Sequence, residues 1–152
     1  MAQFSIRPML ETDVAAVFQI EHLIYDFPWT ERNFLDSLAA GYAAHCMWID
    51  QSLAGYMVTM PVLDETHLLN LSIRADLQGQ GLGRQLLQWG LCQSRMAGMQ
   101  GMLLEVRPSN EAARHLYDTE GFRLIGTRKN YYPAKTGRED ALVLFKRFQH
   151  TV

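Results

Sequence analysis

Three glycines, at 79, 81 and 83, fall within one turn, "QGQGLG", directly before a segment that reads as a helix. Glycine leaves backbone N–H groups open to a ligand, with no side chain in the way. A helix start adds the positive end of its dipole, and the two together make an anion site suited to phosphate. The loop is not a Walker A motif, because Gly83 is followed by Arg84 and Gln85 rather than by Lys and Ser or Thr. The dinucleotide fingerprint G-x-G-x-x-G is nearer. Its third glycine would have to come one residue later, and the loop would have to follow the first strand rather than the fourth. A glycine-rich turn with no ligand stays open as the other reading. Downstream, "MLLEVR" (102–107) sets Glu105 into an otherwise apolar segment. Leu103, Glu105 and Arg107 share one strand face. A carboxylate there can accept a proton, or it is a solvated strand residue paired with Arg107, and the spacing leaves both open.

These residues need a scaffold, and the chain supplies one. Residues 4–8 read as a short strand. The stretch 12–25 reads as a helix, with Thr12 as its N-cap and Val14, Val17, Phe18 and Ile24 at helical spacing. Thr30 caps a second helix running to about Leu38. Residues 43–50 and 53–62 form strands around a turn at Asp50 to Ser52, and 66–73 forms another. A helix from 83 to about 97 follows, with Gly98 as its C′ residue. Residues 101–107 make a strand, 109–122 a capped helix ending at Gly121, and 123–133 and 141–148 the last strands. Early consecutive strands predict antiparallel hairpins, and the strand–helix–strand step from 66 to 107 predicts a parallel crossover. The class is α+β, a layered fold with a mixed sheet.

A chain of 152 residues suits a single domain over 1–152 with a proper core. A formal net charge of -2 argues against nucleic acid as a partner. Two cysteines, Cys46 and Cys92, with no C-x-x-C pair fit a reducing cytoplasm. No apolar run approaches a membrane span, and the opening "MAQFSIRPML" lacks the features of a signal peptide. The five histidines show no ligand spacing, so no metal is expected.

Gln78-x-x-Gly81-x-Gly83 after an apolar strand resembles the pyrophosphate loop of the GCN5-related N-acetyltransferases (GNAT). With the element order, the likeness covers essentially the whole chain. "NLSI", "LEVRPSN", "LYDTEGF", "NYYP" and "GREDA", with "FPW" near the front, resemble the bacterial ribosomal-protein-alanine N-acetyltransferases of the RimI type. The resemblance implies a mostly antiparallel seven-stranded sheet with helices on both faces, acetyl-CoA as co-substrate, and the N-terminal alanine of a small-subunit ribosomal protein as acceptor. It further implies that Gly79, Gln80, Gly81, Leu82, Gly83 and Arg84 hold the pyrophosphate. Backbone groups of Leu71, Ser72 and Ile73 would lie along the pantetheine arm and polarise the thioester.

An α-amine, with a pKa near ~7.8, is roughly one-tenth neutral at pH 7, whereas a lysine amine costs roughly 4.6 kcal/mol to deprotonate. An α-amine therefore asks little of a base, and the resemblance assigns that role to Glu105, directly or through a water. It places Tyr117 as the acid for the departing thiolate. By pattern alone Tyr117 is a core residue packing its helix on the sheet. Asn110 caps its helix, and the resemblance adds contact with the cofactor. Trp29, Tyr131 and Tyr132 sit in proline-bearing aromatic loops and are the candidate acceptor-binding residues, with Asp26, Glu31, Glu139 and Asp140 giving acidic tone. Cys92 reads as a mid-helix core residue, and direct transfer is expected over an acyl-cysteine. The competing activities are acetylation of lysine or a small amine, and a non-catalytic acetyl-CoA-binding module.

Overall fold

The early strands hold their hairpin through an unusual pair of residues. Asp50 and Gln51 take φ of 49° and 65° between β2 (Ala43–Ile49) and β3 (Ser52–Val62). Two left-handed residues make the primed turn whose twist matches paired strands. The structure is a computed structural model and describes residues 3–149. Its other elements are β1 (Ser5–Pro8), α1 (Val14–Ile24), α2 (Glu31–Ala39), β4 (Glu65–Ile73), α3 (Leu82–Met96), β5 (Gly101–Val106), α4 (Glu111–Thr119), β6 (Arg123–Pro133) and β7 (Arg138–Arg147). The seven strands form one sheet in the order β1-β2-β3-β4-β5-β7-β6. The pairings of β1 with β2, β2 with β3, β5 with β7 and β6 with β7 are antiparallel. The expected parallel crossover is present, with Glu65–Leu68 of β4 beside Gly101–Leu104 of β5.

Contacts divide the chain into two compact units. The first comprises Met1–Met60 and Leu69–Gly90. Its core is built by Val14, Val17 and Ile20 of α1, Phe34 of α2, Cys46 of β2, and Tyr56 and Val58 of β3. Phe34 meets Tyr56 edge-on at 5.7 Å. Helix α2 starts as expected. Thr30 Oγ1 accepts from the Asn33 N–H, and Asn33 returns the bond to the Thr30 N–H, a reciprocal cap contributing about 1 kcal/mol. Thr12 does not cap α1. Residues Glu11–Asp13 form a 3-10 turn, and the Asp13 carboxylate accepts from the Leu10 N–H at 2.8 Å, which moves the helix start to Val14.

The second unit comprises Pro61–Leu68 and Leu91–Val152. Met102, Leu104 and Val106 of β5, Tyr117 of α4, Phe122, and Ala141 and Leu144 of β7 are buried. The last strand begins earlier than the apolar pattern predicts, because Arg138, Glu139 and Asp140 are strand residues. Opposite them β6 bulges between Arg128 and Tyr132, and Asn130 takes a φ of 52°.

Candidate active site

The loop after β4 depends on two glycines. Gly79 and Gly81 have φ of +79° and +84°, where an L side chain is strained, and a Cβ on either would meet no atom within 4 Å. Bare backbone therefore faces open space at both positions. Gly83 is different. It lies in the first turn of α3 without a left-handed φ, and a Cβ there would make ordinary contact with Ile73 Cγ1 at 3.6 Å. The three glycines that look equivalent in the sequence are thus two turn residues and one helix residue. Gln80 lies between the two turn glycines, and Leu82 and Arg84 flank Gly83 at the start of α3. The helical ladder begins with the Gln85 N–H donating to Gly81 O at 3.1 Å, so the N–H groups before it belong to the helix start.

Side chains tie this loop to its strand. Gln78 Nε2 donates to Ile73 O at 3.0 Å. Arg74 donates to Asp76 Oδ1 at 2.7 Å, to Ser52 Oγ at 2.7 Å and to Leu53 O at 2.8 Å. The Arg74 hydrogen bond holds the Asp76 carboxyl below its usual range. Gly55 lets β3 approach β4, since a Cβ there would stand 2.5 Å from Ser72 O.

A buried polar network in this unit escaped the sequence reading. Glu21 of α1 is 2% exposed. Its Oε2 accepts from the Trp29 N–H at 2.9 Å, and its Oε1 accepts from Tyr56 Oη at 2.7 Å and Asn70 Nδ2 at 3.1 Å. Ser72 Oγ donates to Asn70 Oδ1 at 2.7 Å, and Tyr25 Oη lies 2.7 Å from Ser72 Oγ and 3.4 Å from Leu71 O. Burial, and next the Glu21 carboxylate, push the Tyr56 phenol far up. Burial also raises Tyr25. The Trp29 ring packs on Phe34 at 5.0 Å, so this residue is partly a core residue.

In the second unit, Glu105 faces the side of β5 away from Met102, Leu104 and Val106, with its side chain 25% exposed. Arg128 of β6 brings Nε to 2.8 Å from Glu105 Oε2. That contact is an ion pair at poor angle, because the buried Oε2 has no aligned hydrogen-bond donor among the described residues. One carboxylate oxygen is thus left with unused accepting capacity. Arg107 reaches Pro133 O at 2.7 Å and Glu139 Oε1 at 3.3 Å, and its guanidinium lies 4.4 Å over the Tyr132 ring. Tyr132 is pushed up to about 12 by burial and, next, by the negative Glu105. Tyr131 is 44% exposed and meets Tyr132 edge-on at 5.0 Å. Tyr117 is buried on α4 against Phe122 at 5.5 Å. Asn110 caps α4, its Oδ1 accepting from the Ala113 N–H at 3.2 Å.

The "GRED" acids and arginine are engaged within the chain. Arg138 donates to Asn130 O and Tyr131 O, and Asp140 accepts from the Asn130 N–H, so β7 pins the bulge that presents the two tyrosines. Glu139 accepts from the Ser109 hydroxyl at 3.0 Å and N–H at 2.9 Å as well as from Arg107. Ser109, foremost, holds its carboxyl below the usual range. A carboxyl depressed by folding stabilises the protein fully above its unfolded pKa and loses that contribution as pH falls through the lower folded value. Wild type is therefore expected to melt above Glu139→Gln at pH 7, and the gap in Tm should close as pH drops below about 4. Parallel thermal melts from pH 7 to 3 test this. A gap that widens toward acid would contradict the pairing.

Among the described residues, no group of three or more His, Cys, Asp or Glu is placed to hold a metal ion, and no helix is long and apolar enough to cross a membrane. Burial pushes the Cys46 thiol up to about 12, which leaves it inert. Cys92 is exposed rather than a core residue, with Sγ 3.9 Å from Met96 Sδ one helical turn on.

A family profile described as the acetyltransferase (GNAT) family matches residues 8–122. The ribosomal protein bS18-alanine N-acetyltransferase of Escherichia coli strain K12 is 37% identical over 140 residues, covering 92% of this chain and 95% of that protein. The crystal structure of the Escherichia coli ribosomal-protein-S18-alanine N-acetyltransferase superposes with a TM-score of 0.92 at 35% identity, covering 99% of this chain and 97% of that one. The Salmonella typhimurium protein yncA, solved with its cofactor acetyl-CoA, shares the fold at a TM-score of 0.79 and 20% identity, covering 98% and 96% of the two chains. The seven-stranded mixed sheet agrees with these likenesses: the chain belongs to the acetyltransferase (GNAT) family.

Proposed function

We propose that residues 1–152 act as one catalytic domain in the cytoplasm. The domain transfers the acetyl group of acetyl-CoA directly to the α-amine of an N-terminal alanine on a small-subunit ribosomal protein of the bS18 type. The observation that carries this reading is identity of 37% sustained over nearly the full length of both chains with an enzyme so named. The loop supports the co-substrate, because a Cβ at Gly79 or Gly81 would stand in open space beside bare backbone.

Backbone groups of Gly79 to Arg84 take the pyrophosphate at the start of α3, where the helix dipole favours negative charge. Leu71, Ser72 and Ile73 offer main-chain groups to the pantetheine arm, and Asn110 contacts the same molecule. The amine nitrogen attacks the thioester carbon, and the carbon–sulfur bond breaks. The proton lost by nitrogen goes to Glu105, and Tyr117 supplies one to the departing sulfur. A phenol near ~10 gives its proton to a thiolate near ~8.5 at a cost of about 2 kcal/mol, so hydrogen bonding to sulfur carries part of that role. Trp29, Tyr131 and Tyr132 receive the acceptor peptide.

Mass spectrometry of a peptide with an N-terminal alanine and an internal lysine, incubated with acetyl-CoA and the protein, tests this. One acetyl group on the α-amine is the expected product. Modification of the lysine alone, with the α-amine untouched, would overturn the acceptor assignment.

A further inference from the structure

A carboxylate buried in an apolar core is costly unless it is well partnered, and apolar residues of similar size often serve stability as well. Glu21 is such a group, buried on the same helix as the core residues Val17 and Ile20 and bonded to the core residue Tyr56. All three of its partners donate, which is what an ionised carboxylate demands. The partners also come from different places. Two belong to strands β3 and β4, through Tyr56 and Asn70, and one belongs to the loop between α1 and α2, through the Trp29 main chain. An apolar residue, or an amide, cannot accept on both sides at once.

We propose that Glu21 is a positioning residue for the acceptor, holding the Trp29 loop to the strand pair β3–β4 by accepting the Trp29 N–H on one oxygen while the strands occupy the other. The proposal rests on the acceptor reading of Trp29 given above. The geometry singles out this N–H. Pro28 has none, and the Thr30 N–H already serves the cap of α2. The strand side is equally well defined. Ser72 donates to Asn70 Oδ1, so its oxygen is left to accept from Tyr25. The run from Tyr25 through Ser72 and Asn70 to Glu21 therefore has one proton direction, and the Asn70 amide has one orientation. Asn70 and Ser72 flank Leu71 in the strand segment assigned to the pantetheine arm, so one carboxylate sets the loop and that strand in a fixed relation.

Glu21→Gln replaces one acceptor oxygen by a donor. The strand side holds two donors and the loop side one, so the loop bond is the one expected to be lost. Two readouts test the proposal. In the free protein, the Trp29 amide should exchange with solvent slowly in wild type and at least about tenfold faster in Glu21→Gln, as followed by NMR. In steady-state kinetics, the variant should raise KM for the alanine peptide about tenfold, with KM for acetyl-CoA and kcat each within about twofold. Tyr56→Phe serves as the control. It removes one of the two strand-side donors, while Asn70 still ties Glu21 to the strands and the Trp29 bond is untouched, so it should lower Tm yet leave the peptide KM and Trp29 exchange as in wild type. Equal rises in peptide KM for both variants would reduce Glu21 to a stability role and overturn the proposal. So would a Trp29 amide that exchanges freely in wild type, a measurement that stands even if Glu21→Gln fails to fold. A wild-type enzyme that ignores the peptide while its Trp29 amide is protected, and loses protection in the variant, would refute the acceptor assignment and leave the Glu21 anchor intact.

Discussion

Glu105→Gln is expected to lower kcat about a hundredfold at pH 7 while leaving the Kd for acetyl-CoA within about twofold. The glutamine keeps the size and polarity of the side chain and removes its capacity to accept a proton. The expected loss sits at the low end for a general base because of the acceptor. An α-amine is already about one-tenth neutral at pH 7, so relief of that first deprotonation alone accounts for only about tenfold. The rest comes from the proton the nitrogen must shed as the amide forms. The variant should therefore recover at alkaline pH, where the neutral fraction of the amine approaches one. Raising pH from 7 to 9 should raise its kcat/KM for the peptide by about tenfold. Arg128 makes the cofactor readout informative. Its Nε already lies 2.8 Å from Glu105 Oε2, so an incoming amine competes with a cation of the protein itself. If the variant instead lost acetyl-CoA binding, Glu105 would be shaping the cofactor site and the proton-transfer role would be wrong.

The fold was legible wherever a local pattern had one outcome. Turn residues and apolar runs gave the strands, Thr30 and Asn110 gave two caps, and the β4–α3–β5 step gave the parallel pair. Errors fell where two local solutions compete. Thr12 and Asp13 are both good capping types, and the geometry uses Asp13 to close a 3-10 turn instead. The apolar pattern starts β7 at Ala141 because charged residues look like a turn, whereas Arg138 and Asp140 make strand-to-bulge hydrogen bonds that reward extension.

Glu105 could be picked out as a charge inside an apolar strand, but Arg128 beside it could not. Arg107, close in sequence and on the same face, also engages Pro133 O, Glu139 and the Tyr132 ring, and Arg128 arrives at Glu105 from β6. Cross-strand register decides that, and a single chain does not print it. Glu21 carried a signal that went unused. It lies four residues after Val17 and three before Ile24, on the buried stripe of α1, where an unpartnered charge would not be tolerated. A helical wheel shows the anomaly. It does not show that the partners are a loop N–H, a tyrosine on β3 and an asparagine on β4.

The second large effect concerns the loop. Gly81→Ala is expected to weaken acetyl-CoA binding by about tenfold to a hundredfold, the loss of one hydrogen bond to a charged group. The methyl group would meet nothing of the protein within 4 Å, so any clash is with the ligand. The φ of +84° also strains an alanine, which costs roughly 1–2 kcal/mol of stability and lowers Tm by a few degrees. Strain alone could loosen the loop, so the comparison that decides is Gly98→Ala. Gly98 lies just past α3 with a φ of +81° and likewise has nothing within 4 Å of a Cβ. The two substitutions carry the same backbone penalty, and only one stands at the helix start assigned to the diphosphate. Calorimetric titration should find the Gly98 variant binding acetyl-CoA like wild type despite its lower Tm. In melts at a ligand concentration of a hundred times the wild-type Kd, wild type and Gly98→Ala should each gain about 2.7 kcal/mol, and Gly81→Ala distinctly less. Equal affinity in both variants would mean that the pyrophosphate lies elsewhere and that the glycines serve only the turn.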